Sequence, residues 1–398
     1  MPSLWRRSIG KGLGILLALI GFTGPLGATP FIPERDGEVL ERLPTSLGGD
    51  SGELRGLRDR LGRAPTDLTL AVSVAGRYVE LGQVRADPRY YGYAQAALSP
   101  WWGLADPPPE VLFLRAAIRQ SRHEFDAALQ DLSRLLEKDP RDPQAWLMQA
   151  VIFIVRADHQ AARQACEALA RLHRAFLAFS CMGSVASLSG QARGGYDLLV
   201  LAKAQSQGAT EPERVRIETL LGKTAERLGD WGRAEGHFQE AQRLGPHDAY
   251  LLGAYADFLL DQGRAGEVAS LLREETRVDG LLLRLTLAEH EIGAPAKEAH
   301  IDDLRARFAA SRQRGDTLHQ GEEARFLLHL VDQPEEALTL ASANWAAQRE
   351  PRDARILLEA ALASGRPEAA RPVLEMMERT RLQDLPLRRL VNELRAKR

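Results

Sequence analysis

Between residues 229 and 248 the chain reads GDWGRAEGHFQEAQRLGPHD, and its apolar or small positions, Trp231, Ala234, Phe238 and Ala241, recur at spacings of three, four and three. That interval keeps them on one face of an α-helix, which Pro246 ends. The run just before it, RIETLLGKTAERLGD, carries a second stripe of Ile217, Leu221, Gly222 and Ala225, and Gly229-Asp230 supplies the turn between the two. Two short helices thus form one unit, and the unit recurs. Phe125, Ala128, Leu132, Leu135 and Pro140 stand in the same frame. Ala162 follows Ala128 by 34 positions, Val268 follows Ala234 by 34, and Ala370 follows Ala337 by 33.

This small and large alternation with a closing proline resembles the tetratricopeptide repeat family over roughly residues 67–383. The resemblance implies an all-α fold, a right-handed α-α superhelical solenoid of helix pairs. Gly222 and Ala234 let two backbones approach, while Trp231 and Phe238 fill the space between neighbouring pairs. One pair alone cannot bury that face, so stability must come from stacking. The expected organisation is an N-terminal cap and divergent first repeat over 53–109, core repeats over 110–280, divergent then regular repeats over 281–383, and a cap helix over 384–398. Three departures from the pattern stand out. Gly195 replaces the usual Ala, residues 281–316 carry an oversized second helix, and Pro372 falls where a helix is expected and should kink it.

Ahead of the repeats, Arg6, Arg7 and Lys11 precede the short apolar run LGILLALIGF and the small residues ending at Ala28, the arrangement of a signal peptide over 1–28. A Gly- and Pro-rich lead follows over 29–52. Cleavage would take the formal charge from −2 to −5 and deliver the protein to a bacterial periplasm. A membrane enters the picture only if this segment stays attached. The 52 basic and 54 acidic side chains nearly cancel, which argues against a nucleic-acid partner.

No constellation for catalysis, a cofactor or a metal is evident, so the expectation is a protein that is not an enzyme. Residues 220–224 contain Gly-Lys-Thr, but Ile217 stands where a phosphate loop needs its first Gly and no strand precedes it. His159 and His247 fall at turns, where solvated turn chemistry accounts for them. Cys166 and Cys181 flank one turn at similar height, which suits either a disulfide or two small buried apolar groups. In residues 87–110 an aromatic run with Tyr91, Trp101 and Trp102 reads as packing on the first helices, or, if exposed, as a platform for a sugar or a Pro-rich peptide.

By the family frame the first helix of each pair faces the concave side. That places Phe113, Ala117 and Gln120, then Leu147, Val151 and Ile154, then Ser180, Ser184 and Ser187, then Arg216, Lys223 and Glu226 along a groove. The lysine and asparagine clamp by which some family members hold carboxylate tails is not reproduced. The resemblance implies an exported scaffold or adaptor holding a protein or peptide in that groove. The alternative is an accessory to envelope polysaccharide or peptidoglycan assembly.

Overall fold

The computed structural model describes residues 50–315 and 317–396. The expected signal peptide lies outside them, as does the lead up to residue 49. From Gly52 onward the described residues belong to the unit Gly52–Arg398, and among the described residues every regular element is helical. An N-terminal group comprises α1 (Asp50–Arg63), α2 (Leu68–Arg85), α3 (Arg89–Ala97) and the single turn α4 (Ser99–Trp102). Antiparallel pairs follow: α5 (Pro109–Ser121) with α6 (Phe125–Lys138), α7 (Pro143–Val155) with α8 (His159–Arg171), and α9 (Ala175–Leu188) with α10 (Ala192–Ala204). Next come α11 (Glu211–Arg227) with α12 (Trp231–Leu244), α13 (Ala249–Asp261) with α14 (Ala265–Leu272), and α15 (Asp279–Ile292) with the long α16 (Lys297–Gln313). The last are α17 (Gln320–Leu330) with α18 (Pro334–Ala347), α19 (Pro351–Ala363) with α20 (Arg371–Thr380), and the closing helix α21 (Leu385–Ala396).

Local chemistry sets these boundaries. Asp142 caps α7 by accepting from the Gln144 and Ala145 amides at 2.8 and 3.0 Å, with Pro143 in the first turn. Such caps satisfy amides that the helix start leaves without a partner. Inside the pairs the reversal rests on one left-handed residue: His123, Ala157, Gly190, Gly229, Gly263, Gly293, Asp332 or Gly365. Pro372 does not kink a helix. A short 3-10 turn over Pro367–Ala370 ends just before it, and Pro372 opens α20, where its missing N–H takes no bond away.

The core sits between the helix layers. Phe238 is fully buried, stacks on Tyr255 at 5.5 Å and lies 5.4 Å from Phe258. A Cβ on Gly222 would stand 2.8 Å from the Phe238 ring, so the glycine makes room for that ring. Gly195 is tighter still. Its missing Cβ would meet the Ser187 amide nitrogen at 2.6 Å and the Gly183 carbonyl at 2.8 Å, so α9 and α10 touch backbone to backbone. Cys166 on α8 and Cys181 on α9 are joined by a disulfide. Under the N-terminal helices a buried Arg115–Asp131 pair, at 2.7 and 2.9 Å, ties α5 to α6, and Arg115 also donates to the carbonyls of Trp102 and Leu104.

The first helices of successive pairs pack on one another, α5 on α7 through to α19 on α21, and form the inner layer of the coil. After one turn the coil meets itself. The Arg349 amide donates to the Val155 carbonyl at 2.8 Å, and the Ala192 amide donates to Gln383 Oε1 at 3.0 Å. Cβ atoms on Gly190 and Gly229 would each stand 2.9 Å from a C-terminal side chain, Arg381 Cβ and Leu385 Cδ2 respectively. The turns of the early pairs therefore form an edge on which residues 348–385 rest.

Candidate functional site

The seam changes the surroundings of the expected groove. Phe113 is half-buried between two core clusters, and Ala117 is buried. Gln120 and Leu147 are half-buried, and Val151 is 41% exposed. Ile154 lies instead at the seam, where it lines a small cavity with His159, Leu188, Arg349, Glu350, Pro351, Met376 and Leu382. His159 is correspondingly not a solvated turn residue: its Nδ1 is buried with no hydrogen-bond partner, and burial, with Arg379 nearby, pushes the imidazole down to about 4. The α9 serines spend their hydroxyls on their own helix. Ser180 donates to the Phe176 carbonyl and Ser184 to the Ser180 carbonyl, while Ser187, which donates to Ser184, also accepts from Arg227.

The charged end of the expected groove is joined by residues from later pairs. Lys223 Nζ donates to the Tyr250 hydroxyl at 2.9 Å, and the Arg216 guanidinium lies 4.2 Å from the Tyr250 ring centroid. Burial by itself would raise the Tyr250 phenol, yet Lys223 and Arg216 together pull it below its usual range. The field at this rim is therefore net positive. Glu350 feels the same cations: against burial, Arg352, Lys223, Arg216 and Arg227 hold its carboxyl below the usual carboxylate value. Arg352 is 51% exposed there, with Glu350 at 3.2 Å.

Further along the inner layer the charges are paired across the coil. Asp257 on α13 accepts from Arg284 on α15 and Arg325 on α17, both at 2.6 Å, and these two guanidiniums outweigh burial and hold its carboxyl far down. Arg355 on α19 reaches Asp261 on α13 and Glu359 on its own helix, each at 2.7 Å, and His329 completes the chain to Glu359. Where α11 and α13 end and α21 begins an acidic rim gathers. Burial, with Asp261 and Asp384 close by, pushes the Glu226 carboxyl up to about 8, and burial raises Asp384 as well. A helix C-terminus adds its own negative end to such a cluster.

Arg216, Lys223 and Glu226 are thus brought to one inner surface, whereas Phe113, Gln120 and Leu147 belong to earlier pairs. The later members Tyr250, Asp257 and Asp261 were legible in principle. They follow Arg216, Lys223 and Arg227 by 34 positions each, the period of the repeat. Glu350, Arg352 and Arg355 had no such signal, because the divergent pair α15/α16 shifts the register before α19. The aromatic run of the N-terminal group is packed: a Cβ on Gly82 would meet the Tyr91 ring at 2.9 Å, and Trp101 and Trp102 are half-buried against the first core cluster. Among the described residues no group of His, Cys, Asp and Glu could hold a metal ion, and no helix is long and apolar enough to cross a membrane.

A family model described as tetratricopeptide repeat matches residues 113–175 and 219–277. The stretch between the two matches contains α9 and α10, where Gly195 departs from the repeat pattern. No curated protein matches the chain. Among solved structures, PilW, a widely conserved type IV pilus biogenesis factor, is similar at 16% identity and a TM-score of 0.41, covering 50% of this chain and 94% of that one. The Cut9-Hcn1 hetero-tetramer of the APC/C is similar at 14% identity and 0.43, covering 78% and 60%. Yeast Tom70 is similar at 11% identity and 0.42, covering 87% and 85%.

Proposed function

For a chain that belongs to the tetratricopeptide repeat family, we propose the function of an exported, non-enzymatic scaffold that holds a protein or peptide partner on the inner face of its coil. The inner charge array carries this reading. Arg216 and Lys223 from α11, Tyr250 from α13 and Arg352 from α19 project onto one accessible surface, and none of them is needed to fill the core. Surface charges that only solvate a fold have no reason to converge in this way. A preformed concave surface also binds at a small ordering cost, because the helix pairs are already stacked. Export is supported by the pattern of residues 1–28 and, independently, by a disulfide of the kind oxidising compartments preserve. The absence of catalysis is part of the proposal: the inner carboxylates Asp257, Asp261 and Glu359 are tied in ion pairs with Arg284, Arg325 and Arg355.

A photo-crosslinking amino acid placed in turn at Arg284, on the inner face, and at Val200, on α10, tests the scaffold role in the producing cells. Partner adducts from Arg284 and none from Val200 are expected. Adducts from Val200 alone would remove the inner face as the binding surface. Fractionation of the same cells tests export, with the protein expected in the periplasmic fraction.

A further inference from the structure

We propose that Tyr196 is an acylation site: its hydroxyl takes an acyl group from an activated donor, an aryl ester or a thioester, and His237 is the base that removes its proton. This goes beyond the scaffold reading and does not depend on it.

Three successive helices build the site. The Tyr196 hydroxyl on α10 lies 2.8 Å from His237 Nε2 on α12, and His237 Nδ1 lies 2.8 Å from Glu218 Oε2 on α11. Lys203 Nζ, from α10, donates to Glu218 Oε1 at 2.6 Å. The direction of each bond follows from the carboxylate. Glu218 is 3% exposed, and against burial His237 and Lys203 hold its carboxyl below the usual range, so it only accepts. Nδ1 therefore carries the ring proton, Nε2 is left as an acceptor, and the Tyr196 O–H donates to it. A hydroxyl, an imidazole and a carboxylate joined in this order are a nucleophile, its base and the group that orients the base. Burial raises the Tyr196 phenol, so the residue stays protonated at neutral pH and reacts through that base.

The hydroxyl is also placed where a reagent can reach it. Tyr196 is half-buried, and the Arg233 guanidinium, on a side chain 57% exposed, lies 5.9 Å from its ring centroid. A cation there favours the negative charge that develops on an attacked carbonyl. Val200, four positions on along α10 and 42% exposed, shares a face with Tyr196 and gives the acyl chain an apolar surface. In the step, Tyr196 Oη attacks the acyl carbon as its proton passes to His237 Nε2, and Glu218 steadies the imidazolium. The bond from the acyl carbon to the leaving aryloxide or thiolate breaks, and that group takes the proton from Nε2. One acyl group is transferred per chain, and the imidazole returns to its neutral form.

The test treats the full chain with p-nitrophenyl acetate, an aryl ester, and times the acetylation of each residue by mass spectrometry of tryptic peptides. Tyr93 is the internal control: it is 52% exposed, more open than Tyr196, and its ring neighbours are Tyr78 and Tyr90. Tyr196 should be acetylated about 100-fold faster than Tyr93, the lower end of what a positioned base supplies. His237→Gln keeps a polar side chain that takes no proton, and it should bring Tyr196 down to the Tyr93 rate. Tyr196→Phe should remove the fast acetylation and leave helicity unchanged. Should His237→Gln lose helicity by circular dichroism, the ratio of Tyr196 to Tyr93 in the unaltered chain decides, and a ratio below about tenfold overturns the proposal. A Tyr196 rate that a folded His237→Gln leaves unchanged overturns it as well, and so does a fast acetyl group found on His237 or Lys203 in place of Tyr196.

Discussion

Asp131→Ala isolates the strongest buried charge pairing in the N-terminal half. Asp131 and Arg115 keep only 1% and 3% of their side-chain surface exposed, and the carboxylate takes both a bidentate pair of bonds from Arg115 and a third from Arg119 at 2.6 Å. Removing it leaves the Arg115 guanidinium with two carbonyl acceptors, Trp102 at 2.6 Å and Leu104 at 3.0 Å, and no counter-charge. Breaking a buried pair from one side costs about 3–5 kcal/mol. Arg119 contributes little to that figure, since it is 22% exposed and turns to water at about 0–1 kcal/mol. Replacing both partners by apolar residues, Arg115→Met with Asp131→Leu, should recover most of the loss, because it removes the uncompensated charge. In a stacked array each pair leans on its neighbours, so the damage should stay local. Urea unfolding followed by circular dichroism gives the total, and hydrogen exchange by mass spectrometry shows where it falls. Faster exchange is expected in α4, α5 and α6, with α17 to α19 near wild type. A loss below about 1 kcal/mol, exchange raised evenly along the chain, or an apolar pair no better than the single variant would refute the reasoning.

Gly195→Ala should destabilise more than Gly222→Ala, because its Cβ meets backbone whereas the Gly222 Cβ meets a ring that can shift; overpacking of the second kind costs about 1–3 kcal/mol, and urea midpoints rank the two. Cys166→Ala with Cys181→Ala opens a 15-residue loop and should cost about 3 kcal/mol, so the variant should match reduced wild type in thermal midpoint and fall below oxidised wild type. Two inner groups pull stability in opposite directions with pH. His159 sits near 4 in the folded chain, below its ordinary 6.5, so the unfolded chain binds the proton first and stability is lost as pH falls from 6.5 towards 4. Glu226 sits near 8, above its ordinary 4.5, so the folded chain holds the proton and stability is lost as pH rises from 4.5 to 8. Between 6.5 and 8 only the second acts, and Glu226→Gln should flatten the fall of thermal midpoint there. A profile unchanged by that substitution would show that Glu226 carries no such proton.

The helix pairs, their turns and the core pattern were legible in the residues themselves. Spacings of three and four place Trp231, Ala234, Phe238 and Ala241 on one face, and helical geometry is a local property that neighbouring residues settle. The 34-residue period carried the same information to Tyr250, Asp257 and Asp261 on the inner face. Tertiary structure decided where the coil meets itself. Each pair is rotated slightly against the last, and only the sum of those rotations brings Arg349 to Val155, Arg381 to Gly190 and Leu385 to Gly229. No stretch of residues encodes a sum. His159 reads as a turn residue until α20 covers it, and Arg216 reads as a groove residue with no named contact until Tyr250, one repeat later, offers it a face. Partners separated by whole repeats meet through the accumulated curvature of the array, and that curvature is a property of the stacked chain.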